Sequence, residues 1–196
     1  MEPEAKLAVL ARAGRALNAS RAVWALGASA LLYLHGVTED FHDLDLLIDP
    51  DTVGVGAAAL LAEGAERRGA PAPSAAFCTE RFEPLRLAGV DIDLLCNFTI
   101  RRKEGVYRYD FHSGRIEGAA LVQRVRIPLC PLADWFVLYQ LMPARAKNAR
   151  LIARHLANAP EGDSRLWLTQ WLNSRLPGEV RERTLALYQQ LPHTVR

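Results

Sequence analysis

Residues 24–49 read WALGASALLYLHGVTEDFHDLDLLID, an apolar run broken at Gly27-Ala28-Ser29 and closing on two acids, Asp43 and Asp45. Period-two alternation over residues 43–49 predicts a strand with Asp43, Asp45 and Leu47 on one face and Leu44, Leu46 and Ile48 on the other. Residues 28–35 are compact and apolar, a short helix with Gly36 placed as its C-cap. Carboxylates two positions apart on a strand leave the same face about 7 Å apart along the backbone. Such like charges repel unless a cation sits between them or both face water.

The pattern returns in AGVDIDLLCNF (88–98), a strand carrying Asp91 and Asp93 among apolar neighbours. Either pair alone reads equally well as the wet face of a half-covered sheet. Two pairs in one small chain suggest acid-bearing strands that converge carboxylates on one spot. Such an oxygen-rich site suits Mg²⁺, and a two-metal arrangement clamps the attacking and leaving oxygens of phosphoryl transfer. The Gly27-Ala28-Ser29 turn presents backbone N–H groups and a hydroxyl to an anionic ligand such as a triphosphate. By itself so short a glycine motif carries little weight.

Outward from this centre, a helix is expected at 4–19, a strand at 22–26 and a helix from Asp51 to about Arg68 despite its glycines. Residues 70–74 (APAPS) read as a loop and 75–87 as extended. Hairpin strands turning at Ser113-Gly114 follow. From Pro131 the character changes to four helices separated by Pro or Gly breaks. The expected architecture is α+β, close to α/β: a mixed sheet flanked by helices over 1–130, then an α-helical subdomain over 131–196.

Composition sets the outer bounds. With 50% apolar and 23% charged residues the chain is ordinary globular material, and a net charge of +2 argues for neither DNA nor a membrane surface. No apolar run approaches the roughly 18 residues of a membrane span. The acid-bearing N-terminus reads as an amphipathic helix rather than a secretion signal. Cys78, Cys96 and Cys130 form no CxxC pair and read as buried free thiols in a reducing cytoplasm. P-loop, Gly-x-Gly-x-x-Gly and Gly-x-Ser-x-Gly motifs are absent, which removes kinase, dinucleotide and hydrolase-elbow readings.

LGAS, a helical spacer, DLDL and later VDIDLL together resemble the nucleotidyltransferase superfamily of DNA polymerase beta-like fold, in particular its small bacterial stand-alone members. The resemblance is best over about residues 22–98, and the segment from Ile127 to Leu156 is similar to the helix pair that follows that core. It implies a nucleotidyltransferase core that moves a nucleoside monophosphate from an NTP to a hydroxyl acceptor (small molecule, RNA or protein) and releases pyrophosphate. It also implies Mg²⁺, two ions, as cofactor. Gly27, Ala28, Ser29 and Lys147 would bind the nucleotide. Asp43, Asp45 and Asp93 would hold the metals, with Asp91 the alternative third acid. Ala28 stands where the family has Gly or Ser, and Lys147-Asn148 where many relatives have Lys-Asp. These departures motivate an alternative: an inactive protein of the same fold that binds a nucleotide or a partner protein, as in a toxin–antitoxin pair.

Other residues read more plainly. His42, beside Asp43, is either a loop-end histidine or a metal or triphosphate contact. Arg145 stands near Lys147 as a further phosphate counter-charge. Arg101-Arg102-Lys103 is a solvated turn unless it meets an anionic acceptor. Trp167 and Trp171, four apart, share a helix face.

Overall fold

The computed structural model describes residues 1–69, 74–142, 144–159 and 162–192. The chain opens with α1 (Pro3–Ser20), where Pro3 occupies the first turn and Glu4 meets the positive helix end. Its stripe Leu10, Ala13, Gly14 and Leu17 is buried. A Cβ at Gly14 would lie 2.5 Å from Ile127, so this glycine sets how closely α1 packs on the later strands. Then come β1 (Trp24–Leu26), α2 (Ala28–Leu34), β2 (Leu44–Ile48), α3 (Val53–Ala62), β3 (Glu66–Arg67), β4 (Arg81–Leu87) and β5 (Val90–Cys96).

The five strands form one sheet in the order β1-β2-β5-β4-β3. Only β2 and β5 run parallel; the other neighbours are antiparallel, so the sheet is mixed. Alternation along β2 divides the two faces. A Cβ on Gly56 of α3 would meet Ile48, whereas a Cβ on Gly27 would fall onto Leu47 and Trp135. Leu44, Leu46 and Ile48 thus share the α3 side, and Asp45 shares the other with Leu47.

Two hairpins follow, β6 (Phe98–Arg102) with β7 (Gly105–Tyr109) and β8 (Ala119–Val122) with β9 (Val125–Pro128). Four helices close the chain: α4 (Leu132–Leu141), α5 (Ala146–Asn158), α6 (Ser164–Leu172) and α7 (Gly178–Gln190).

Two expectations need correction. The helix expected to reach Arg68 stops at Ala62, because Gly64 takes a left-handed φ of 93° and lets the chain turn back into β3. The run of helix formers concealed that break. Nor do the strands flanking Ser113-Gly114 pair with each other. Residues Ser113–Arg115 form a 3-10 turn whose start is capped by the His112 ring accepting from the Gly114 N–H at 3.1 Å. The expected loop at 70–74 lies outside the described residues except for Ser74.

Asp134 joins the helices to the rest. It is fully buried on α4 and accepts from Tyr109 Oη at 2.7 Å, Trp171 Nε1 at 2.7 Å and Arg115 at 3.1 Å to both oxygens. Burial pushes its carboxyl upward against the pull of Arg115. Removing one partner of a buried ion pair leaves uncompensated charge and unpaired donors. Asp134→Ala is therefore expected to cost about 3–5 kcal/mol in urea unfolding.

Candidate active site

The loop before β2 is tied down first. Lys6, 5% exposed, donates from α1 to Asp40 at 2.7 Å and to the Phe41 carbonyl, with its ammonium 4.7 Å from the Phe41 ring centre. A lysine is rarely so buried without partners. Here it anchors residues 40 and 41 directly before His42 and Asp43.

The parallel register then places Asp45 opposite Asp93 on neighbouring strands. Asp43, Asp45 and Asp93 line one cavity of about 610 Å³, together with Ala28, Ser29 and His42. Burial is the main cause that raises the Asp45 carboxyl well above the ordinary range, and repulsion from Asp43 and Asp93 adds to it. Burial likewise pushes Asp93 up to about 6, although Arg68 opposes this. Asp43 thus disfavours the charge of both Asp45 and Asp93.

Arg68 was missed by the sequence reading because it was assigned to a helix end. It follows β3 at the sheet edge and bridges Asp91, at 3.0 Å, to Asp93. Arg86 also holds Asp91, at 2.6 Å, which keeps the Asp91 carboxyl below its usual range. Of the two candidate third acids, Asp93 is in the described cavity lining and Asp91 is not. Arg145 contributes the opposing charge, lining the cavity and lowering Asp45. Lys147 is exposed on α5 and is not part of the described lining.

The Gly27-Ala28-Ser29 turn contributes in three ways. Gly27 donates its N–H to the Asp45 carbonyl at 2.9 Å, and its bare Cα lets β1 pack against Trp135. Ala28 lines the cavity with a left-handed φ of 46°. Ser29 Oγ is buried and finds no hydrogen-bond partner among the described residues, a condition that costs about 1–3 kcal/mol and calls for a ligand.

The remaining lining is largely aromatic: Phe77, Phe82, Phe98, Trp135 and Tyr139. The charge-led reading had no means to find these rings, since they come from separate segments of the chain, with Trp135 and Tyr139 together on α4. Arg102 turns out to serve the fold, donating to the Gln140 carbonyl and to Glu179, both at 2.9 Å. The cysteines are unpaired thiols, with Cys96 and Cys130 buried.

No protein-family model matches the chain, and no curated protein matches it by sequence. Solved structures do match. A Thermotoga maritima protein assigned to the nucleotidyltransferases superposes with a TM-score of 0.60 at 19% identity, over 89% of this chain and 97% of that one. The antibiotic-resistance factor ANT(2'')-Ia superposes at 0.58 and 12% identity, over 96% and 97%. The fold is that of the nucleotidyltransferases. A further structure of ANT(2'')-Ia, in complex with adenylyl-2''-tobramycin, gives 0.56 at 12% identity over 94% of this chain and 97% of that one.

Within this nucleotidyltransferase fold, two stability effects test the geometry. Left-handed backbone costs a residue with a Cβ about 1–2 kcal/mol. Ala28→Gly is expected to recover about 1 kcal/mol, less the greater entropy of glycine in the unfolded chain, measured by thermal unfolding. Asp45 disfavours ionisation in the fold, so it destabilises the native state wherever the unfolded chain is ionised. Asp45→Asn is expected to raise the metal-free Tm at pH 7, worth about 1.4 kcal/mol per unit by which the fold raises the carboxyl. The gain should vanish below about pH 4, where the carboxyl is protonated in both states.

Proposed function

We propose that this chain transfers a nucleoside monophosphate from an NTP to a hydroxyl acceptor, releasing pyrophosphate. The observation that carries the proposal is the gathering of Asp43, Asp45 and Asp93 with the unsatisfied Ser29 hydroxyl on one cavity. The nucleotidyltransferase structural neighbours support the same reaction class.

Mg²⁺ fits the donor set, which is oxygen only. Among the described residues no three His, Cys, Asp or Glu side chains stand already grouped as a metal cage. Mg²⁺ keeps waters and shares its shell with phosphate oxygens rather than needing an all-protein cage. Asp43 and Asp45 would hold the ions, two of them, with Asp93 completing the set. Bound there, they would neutralise charge on the transferring phosphate.

The protein groups supply position and charge. Ser29 Oγ donates to a phosphate oxygen, and Arg145 adds a positive charge at the cavity wall. Arg68 engages Asp93 through Oδ1, so Oδ2 is the atom assigned to take the acceptor's proton. A carboxyl pushed up to about 6 is a better base near neutrality than an ordinary aspartate.

One observation favours a second reading. Arg68 already pairs with Asp93, an arrangement that a nucleotide-binding protein without turnover would tolerate. The two readings separate by experiment. With each α-labelled NTP, Mg²⁺ and an acceptor panel, the parent chain is expected to transfer label and release pyrophosphate. Asp45→Asn should lower this by about 100-fold or more while keeping the parent's circular dichroism. Metal-linked NTP binding in calorimetry without label transfer would favour the silent form. Absence of both would end the nucleotidyl-transfer proposal.

A further inference from the structure

Resting on that reading, the inference concerns what accepts the nucleotide. The cavity divides into unlike parts. Ser29, Asp43 and Asp45 come from the β1 and β2 side. Leu95 follows Asp93 on the same face of β5, and Phe82 of β4 is the cross-strand partner of Leu95. Phe98 begins β6, and Phe77 stacks on it with ring centres 5.9 Å apart and planes at 25°. Phe98 in turn stacks on Trp135 at 6.2 Å and 25°. An aromatic wall thus runs outward from Asp93.

Its outermost ring is unusual. Phe98 and Trp135 are 6% and 1% exposed, but Phe77 is 42% exposed, a large apolar ring left open at the cavity. Open aromatic faces of this kind recognise flat apolar groups by stacking and by area removed from water.

Charge narrows the class further. The only carboxylates in the described lining are the three assigned to metal. The acids nearby already have cations: Glu83 is held by Arg67 at 2.8 Å and by Arg81, and Asp91 by Arg68 and Arg86. Among the described residues the lining holds no further carboxylate to recognise a polycation. The described lining holds a single Lys or Arg, Arg145, on the triphosphate side, which is no cationic track for a nucleic-acid backbone.

We propose that the acceptor is an uncharged hydroxyl compound with a flat apolar body, seated on Phe77 and Phe82, with Phe98 behind Phe77, and with its hydroxyl directed to Asp93.

The probe is 2-(2-naphthyl)ethanol, with tobramycin and a short RNA as contrasts, each titrated by calorimetry and tryptophan fluorescence with and without Mg²⁺ and non-hydrolysable NTPs. The naphthyl alcohol is expected to bind and the other two to bind at least tenfold more weakly. Phe77→Ala should weaken the naphthyl alcohol at least tenfold while changing Mg²⁺·NTP affinity less than twofold. Phe77 is half-open, so the variant should fold, and unchanged circular dichroism checks this. Failure of the naphthyl alcohol to bind, or tighter binding of tobramycin or RNA, would overturn the proposal. So would a selective loss of NTP affinity in Phe77→Ala, which would assign the wall to the nucleobase. Loss of all Mg²⁺·NTP binding in the parent, with naphthyl binding intact, would instead sink the nucleotidyl-transfer reading and leave the wall as an apolar site.

Discussion

The pairing of β2 with β5 in parallel register is the constraint around which the site is organised. It puts Asp45 opposite Asp93, with Asp43 at the entrance to the same strand. At a strand spacing of about 4.8 Å and an effective dielectric near 20, two such charges repel by about 3 kcal/mol. A neutral hydrogen bond is worth about 1 kcal/mol, so it does not offset this; only a cation or a proton does. The surroundings follow from that. Arg68 reaches in from the sheet edge, Arg145 approaches from the helical side, and the carboxyls of Asp45 and Asp93 lean toward their protonated forms.

Holding acids in so unfavourable an arrangement requires a stiff frame. Lys6 fixes the backbone ahead of Asp43, and Gly27 admits Trp135 against the strand that bears Asp45. On the far side, Asp134 ties α4 to β7 and α6 through three donors, so the helix carrying Trp135 and Tyr139 is fixed relative to the sheet. Polar burial is used twice for opposite ends. At Asp134 every partner is present and the result is rigidity, whereas the Ser29 hydroxyl finds no partner among the described residues and the buried Asp45 faces two like charges.

Much of this was legible in the chain. The Asp-x-Asp alternation among apolar residues located β2 and β5, because period two and side-chain polarity are local properties. The small-residue turn before Ser29 and the change to helices after Pro131 were equally local. Arg68 was not legible: its neighbours favour helix, and the break depends on Gly64 adopting a positive φ. Nor was the aromatic wall, whose rings lie as far apart in sequence as Phe77 and Tyr139.

Sequence by itself determined which acids exist and that Asp91 and Asp93 share a strand face, since the pleat puts residues two apart on one side; Asp43 lies just before β2. It left Asp91 and Asp93 as alternatives, for both sit on one face of one strand. Tertiary structure gives the two different surroundings. Arg86 and Arg68 pair with Asp91, while the register with β2 leaves Asp93, which Arg68 also engages, in the described cavity lining. It also decided that Ala28 bears a strained backbone and that Lys147 stands outside. Such outcomes depend on which distant segments meet, and loop closure across dozens of residues is invisible to any local pattern.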